Sequence, residues 1–417
     1  MATSRSRGSV NAIEQATLWD RMWQPFWVLP VAMTLGALAM ALVLPELDKE
    51  LRGWMFWVFP GGADAARGAL TTIASATIST VGVVFSITMV VLQLASSSFT
   101  PRILGSFLES RVVQATFGMF IATFVFSLIA LRAILNETDD ASGFVPRVSV
   151  TFAFLMAIGC VGLFLAFVRH ITESIQVSKV ISRIGDRTHR LIERVLPGQD
   201  EEGGAGPTWS PTAGTPSTRI QVGERHGHLD EIDLPELVRL AAELEGVIVL
   251  ERSLGAFVTH GQPLATFWGE GWDKEAESRL ASAMRLATER STRQDVSFGF
   301  RQLVDIGDRA LSPGTNDPTT ANQVINELHR LLRVIVQRVV PSPYIANDEG
   351  VVRVVAQGSD VETLLALSVQ ELAHFARDIP PVLRRLQLML DDLASCALPR
   401  YQGTIDALRE TVSGYAD

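Results

Sequence analysis

The chain has 417 residues, 47% of them hydrophobic, and a positive mean hydropathy of +0.23. That length allows two or three domains, and the apolar surplus argues against a purely soluble protein. The net charge of −9 with dispersed acids argues against a nucleic-acid footprint. Cys160 lies inside an apolar run and Cys396 near the end, so neither a disulfide framework nor a cysteine metal site is expected.

Residues 1–25 are polar and carry Arg5, Arg7 and Arg21. An apolar run follows over 26–44. Ala37-Leu38-Ala39 resembles a signal-peptidase site, but the run continues to Leu44 and three more spans follow, so it reads as a retained first span. The others lie at 70–95, 113–135 and 148–168, each near the ~20 residues a helix needs to cross the hydrocarbon core. Short connections make this a compact four-helix unit. Arg102 and Arg111 lie between spans two and three; Arg169, Lys179, Arg183, Arg187, Arg190 and Arg194 follow span four. In the other two loops the bases are offset by Asp and Glu. The positive-inside rule then puts both termini in the cytoplasm.

Between spans one and two, Trp54, Phe56, Trp57 and Phe59 form an aromatic patch suited to the membrane–water boundary. Span two is the unusual one. Thr72, Ser75, Ser79, Gly82, Ser86, Met89, Gln93 and Ser96 recur at steps of three and four, which puts them on one helix face. Lipid offers polar groups no partners, so this stripe is expected at the centre of the bundle, against another helix or water. Beyond it, Thr100, Pro101 and Arg102 read as a helix cap and first turn on the cytosolic face. The alternative is an anion or lipid-headgroup site there. No Asp, Glu, Lys or His falls within the four spans, which disfavours a proton relay.

Span four has no clear stop. A seam of Val177, Ile181, Ile184, Thr188, Leu191 and Val195 predicts a helical stalk over 169–196, packed on a partner or lying on its own cytosolic domain. Residues 197–218 are rich in Gly, Pro, Ser and Thr and read as a flexible linker. A small β-rich module is expected over 219–271, with a helix near 234–244 capped by Asp233. Its piece 246–267 is similar to half of a biotinyl/lipoyl-type barrel-sandwich but has no lysine for modification. Over 272–417 a mainly helical layer is expected: helices near 272–290, 294–311, 317–340, 359–378, 381–396 and 402–413, with a hairpin at 343–356. The fold class is therefore a membrane all-α four-helix unit followed by a soluble α+β domain.

Within the helical layer, Asp305, Asp308, Arg309, Asn316, Asp317 and Thr319 gather near one helix–turn–helix corner. Caps and an Asp305–Arg309 pair explain most of these choices. A hydrolase-like or ligand-binding pocket is the alternative, since helix starts favour anions. His226 and His228 lack acidic or cysteine partners at metal spacing, while His260, His329 and His374 look isolated. Neither a metal nor a cofactor is expected.

Three blocks carry a resemblance: VFSITMVVLQLASSSFTPRIL at 84–104, GAFVTHGQPLA at 255–265 and FGFRQLVDIGDRALSPGTNDPTTA at 298–321. Together they resemble a family of bacterial predicted membrane proteins, domain of unknown function 2254. Here Gly307 stands where Ala is usual and Thr315 where an aliphatic residue is. The resemblance implies a multi-pass inner-membrane protein with a cytosolic C-terminal part, and it carries over no catalytic residue. The residues themselves suggest a homo-oligomeric, channel-like protein in the lipid bilayer with a cytosolic regulatory domain. The alternative is a non-conducting scaffold or sensor whose cytosolic domain binds a partner or small ligand.

Overall fold

The computed structural model describes residues 26–50, 59–98, 110–134, 144–196, 207–356, 358 and 360–415, without the side chains of 49–50, 94–98 and 174–175. Trp54, Phe56, Trp57, Thr100, Pro101, Arg102 and the Ser96 side chain lie outside that description. The chain divides into two compact units, one spanning Ala16–Gln176 and one beginning at Val177.

The first unit contains α1 (Val28–Glu50), α2 (Ala63–Ser98), α3 (Arg111–Arg132) and α4 (Arg147–Ile175). All 4 are long and apolar enough to cross a membrane. Within one chain the most enclosed helix is α3. Helix α3 packs against each of the other three, and 56% of its apolar window is buried, against 22% for α2. The core has two patches. One joins Ala41, Leu70, Phe126, Val150 and Ala153; the other joins Val84, Val113, Phe117, Phe167 and Ile171. Polar residues of α3 are buried as well: its Thr123 hydroxyl lies 3.3 Å from the Cys160 thiol of α4.

Helix α1 does not stop at Leu44 but runs through Pro45 to Glu50, which brings Asp48 into the helix. Asp48 is 9% exposed. Its carboxylate accepts hydrogen bonds from the Val148 N–H (3.0 Å) and the Ser149 N–H (3.2 Å). These belong to the first turn of α4, whose own N-cap, Pro146, offers no side-chain acceptor. Arg67 of α2 acts in the opposite sense, donating to the Ile134 carbonyl just beyond α3 (3.3 Å). An anion thus meets a helix start and a cation a helix end, as the helix dipole favours.

The helix after span four is interrupted. Gln176 takes an extended conformation, and α5 (Val177–Val195) starts after it. Within the second unit α5 packs against α8 (Val296–Leu311) and α9 (Pro318–Ile335), the second of the two arrangements its seam allowed. The buried face is Val180, Ile181, Gly185, Thr188, Leu191 and Ile192. The seat is close: a Cβ on Gly299 of α8 would fall 2.0 Å from the Thr188 hydroxyl. At the far end, Arg338 donates to the Leu196 carbonyl (3.0 Å) and to Glu193 (2.8 Å).

The β structure comprises β1 (Ser217–Gln221), β2 (Gly227–Ile232), β3 (Val247–Leu250), β4 (Phe257–Val258), β5 (Pro263–Trp268), β6 (Met284–Ala287), β7 (Tyr344–Ala346) and β8 (Val352–Val355). A 5-stranded sheet has the order β1-β5-β3-β8-β7 and a 3-stranded sheet the order β4-β2-β6. Two helices, α6 (Leu234–Glu243) and α7 (Lys274–Ala283), complete this layer. The piece likened to a barrel-sandwich half is divided between the sheets, and the parallel β3–β8 pair and α6 depart from an all-β plan. The helix expected over 272–290 ends at Ala283. Met284 to Ala287 instead pair with β2, a strand the sequence reading passed over. Residues of good helix propensity yield there to an open strand edge, as tertiary context allows. At the sheet margin Trp209 stacks edge-on against Trp268 at 6.1 Å, so part of the expected linker is packed. Helices α10 (Val361–Phe375), α11 (Pro380–Cys396) and α12 (Pro399–Ser413) end the layer.

Replacing Asp48 by Ala should destabilise the first unit by about 1–3 kcal/mol, because buried N–H groups lose their acceptor. Asp48→Asn, which keeps a carbonyl, should lose less; thermal unfolding in detergent checks the order. Gly299→Ala should cost about 1–3 kcal/mol by overpacking. Adding Thr188→Ala should restore part of that, and strict additivity of the two effects would contradict the close seat.

Candidate functional site

Two groups of residues were singled out by the sequence, one in each unit. On α2, Thr72, Ser75, Ser79, Gly82, Ser86, Met89 and Gln93 are all exposed. The opposite face, with Leu70, Ile73, Thr77, Val84, Thr88 and Val91, is the buried one. The stripe is therefore contiguous as expected, but within one chain it faces outward. Its polarity is also partly spent inside the helix. Thr72 donates to the Gly68 carbonyl (2.7 Å) and Ser86 to the Gly82 carbonyl (2.8 Å). Such back-bonding lets a hydroxyl sit in apolar surroundings, so Thr72 and Ser86 do not by themselves require water. Ser75, Ser79 and Gln93 make no hydrogen bond among the described residues, and Gln93 brings both donors and acceptors to this surface.

In the second unit the corner divides into two groups. The first surrounds Arg301, which lies on the same face of α8 as Asp305 and Asp308 at steps of four and three. Arg301 donates to Asp305 (2.5 Å), to Asp308 (3.4 Å) and, across to α10, to Glu371 (2.6 Å). Asp305 is 7% exposed. One guanidinium thus faces three carboxylates, more negative charge than it neutralises. The strain falls on Asp308. Burial, with Glu371 hydrogen-bonding to it and repelling its charge, pushes its carboxyl up to about 8, which favours its protonated form. Arg301 is pushed further up in turn, chiefly by its bond to Glu371. The helices can approach here because Gly307 has no side chain; a Cβ would fall 2.5 Å from Leu372 of α10.

The second group is a cap. Helix α8 ends at Leu311, the Ser312 hydroxyl accounts for the Arg309 carbonyl (2.7 Å), and Asn316 takes a left-handed conformation at φ 45°. Asp317 then accepts from the N–H groups of Thr319 and Thr320, both at 3.1 Å, and from the Thr320 hydroxyl at 2.6 Å. These bonds hold its carboxyl below the usual range, the Thr320 hydroxyl contributing most. Arg309 and Thr319 are exposed, and Thr319 contributes only its N–H to the cap. Asp317 is thus committed to its helix, apart from the Arg301 group.

Sequence reasoning missed Glu371, which arrives from α10, and it missed Arg301, although the four-residue step to Asp305 marked it. It also misjudged His329 as isolated. That ring lies 2.8 Å from Asp392 and receives a hydrogen bond from Arg385 at Nδ1 (2.9 Å), linking α9 to α11. His228 and His260 donate to the Gly255 and Gly223 carbonyls. Among the described residues no group of 3 or more His, Cys, Asp or Glu could hold a metal ion.

Asp308 gives a pH test. Its folded value, about 8, lies above its ordinary 3.8, so the folded state binds the extra proton between those values and stability falls as pH rises through that window. Asp308→Asn removes this loss. The melting temperature of the variant relative to the parent should climb from pH 4 to 8 and then level off. A difference independent of pH would contradict the assignment. Asp317→Ala should cost about 1 kcal/mol, the value of a cap; a much larger loss, or loss of a ligand response, would mean more than capping.

The family model described as predicted membrane protein (DUF2254) matches residues 23–392. The uncharacterized protein Mb1321c of Mycobacterium bovis is 30% identical over 390 residues, which cover 91% of this chain and 74% of that protein. The uncharacterized protein Rv1290c of Mycobacterium tuberculosis matches to the same extent. No solved structure matches the chain. A match across four apolar helices and most of the α+β unit shows that this chain belongs to the DUF2254 family of predicted membrane proteins.

Proposed function

We propose that this membrane protein is a homo-oligomer whose copies meet along the α2 stripe, and that the stripe lines a narrow, channel-like path. The carrying observation is the outward stripe. Small and hydroxyl-bearing residues, with Met89 and Gln93, run in one stripe along a face of α2 that the chain's own helices leave uncovered, between exposed apolar residues such as Val83, Phe85 and Val90. Small residues let helices of different copies approach closely, and a neutral polar lining suits permeation without fixed charge. Ser75, Ser79 and Gln93 supply the unspent hydrogen-bonding groups of that lining. The basic residues between spans two and three and after span four support cytoplasmic termini, and four apolar helices suit an inner-membrane location. The second unit is then a cytosolic regulatory domain.

The second reading is a non-conducting scaffold or sensor. The back-bonded hydroxyls of Thr72, Thr80 and Ser86 favour it, since they allow a dry helix seam. Ser79→Leu and Ser86→Leu separate the two. For a conducting path, the purified chain should run as an oligomer in detergent and carry current in planar bilayers. The leucine variants should still assemble and lose that current. For a scaffold the leucines should break assembly, with no current at any stage. A strict monomer defeats the intersubunit path.

A further inference from the structure

Helix α5 has a second face that the helical layer does not use. Lys179, Arg183, Arg187, Arg190 and Arg194 follow one another at steps of four, four, three and four, and all are exposed. They form one row about 22 Å long on the side away from the buried residues. The acids on the same helix do not cancel it. Asp186 is engaged by Arg330 at 3.0 Å and Glu193 by Arg338 at 2.8 Å, both from the α9 side. Among the described residues the hydrogen-bond partner of Arg187 is neutral, the Thr292 hydroxyl at 3.5 Å. Arg183, Arg190 and Arg194 make no hydrogen bond or ion pair among the described residues. A concentrated positive row thus stands on a chain whose net charge is −9.

We propose that this row binds the anionic phospholipid headgroups of the bilayer that holds the chain, which makes α5 a lipid-reading element of the second unit. The inference rests on the reading that α4 spans a membrane. Only Gln176 stands between α4 and α5 in sequence, so the chain itself tethers the row within reach of a headgroup layer. Basic clusters next to a membrane helix are attracted to anionic lipid by charge, an attraction that fades within a Debye length. A soluble polyanion meets no such tether and faces an acidic chain. The opposite face of α5 is seated against α8 and α9, so headgroup binding acts on the helical layer through one rigid helix.

The test uses the full chain, purified in a neutral detergent and titrated with phosphatidylglycerol, phosphatidylcholine or inorganic phosphate, with thermal unfolding as the readout. Phosphatidylglycerol should raise the melting temperature, the effect should shrink with salt, and the other two should have little effect. The combined variant Arg183→Gln, Arg190→Gln and Arg194→Gln should melt like the parent without lipid. It should need more phosphatidylglycerol, about fivefold per charge removed. Equal responses to both lipids, or an unchanged midpoint in the variant, would overturn the proposal. A variant that melts lower without lipid is replaced by the three single changes, which face the same criterion. Carbonate extraction of the chain from membranes would overturn the spanning reading as well. A chain that resists extraction but shows no lipid preference would overturn only the headgroup site.

Discussion

A helix end placed among apolar side chains must find partners for its free backbone groups, and no water is at hand to supply them. Asp48 meets that constraint for α4 and Arg67 for α3. The consequence reaches beyond two local bonds. Asp48 fixes where α1 stands against α4, and Arg67 fixes where α2 stands against the end of α3. Four helices of similar hydropathy would otherwise slide along one another at little cost, because apolar surfaces in lipid have small preference for register. Charge at the helix ends supplies what hydrophobicity cannot.

With register fixed, the division of labour among the helices follows. Helix α3 takes the middle and buries its polar groups against α4, including Thr123 beside Cys160. Helix α2 packs with one face only. Its side with Leu70, Ile73, Thr77, Val84, Thr88 and Val91 meets the bundle, while the stripe with Ser75, Ser79, Gly82 and Ser86 looks away, flanked by Val83, Phe85 and Val90. Both faces of α2 carry hydroxyls, and Thr77, Thr88, Thr72 and Ser86 all return theirs to the preceding turn. Hydroxyl content alone therefore does not distinguish the packed face from the open one, and neither does residue size, since Val83, Phe85 and Val90 are exposed while Ala66 and Ala74 are buried.

Much of this was legible in the residues. The four spans, the α+β unit behind them and the cap at Asp317 follow from hydropathy, period and capping chemistry, all of which act over a few residues. What escaped depends on groups far apart in the chain. The face of α2 that packs could not be read, because nothing in the stripe says whether its partner is the same chain. Asp48 looked like loop charge because the apolar run ends at Leu44 before it. Glu371 and Arg301 meet only because α8 and α10 pack at Gly307. Met284 to Ala287 became strand because β2 offered an edge, against the preference of their own sequence.

The close seat of Thr188 on Gly299 also has a meaning in time. A nascent chain releases α5 directly after α4, the last of the four apolar helices, while α8 and α9 have yet to be synthesised. Until the ribosome has passed Leu311, the apolar face of α5 has neither of its partner helices, α8 and α9, to lie on. The second unit is therefore assembled onto a helix that was delivered beforehand. An early stop in translation would leave that helix as an unseated amphipathic segment beside the bilayer.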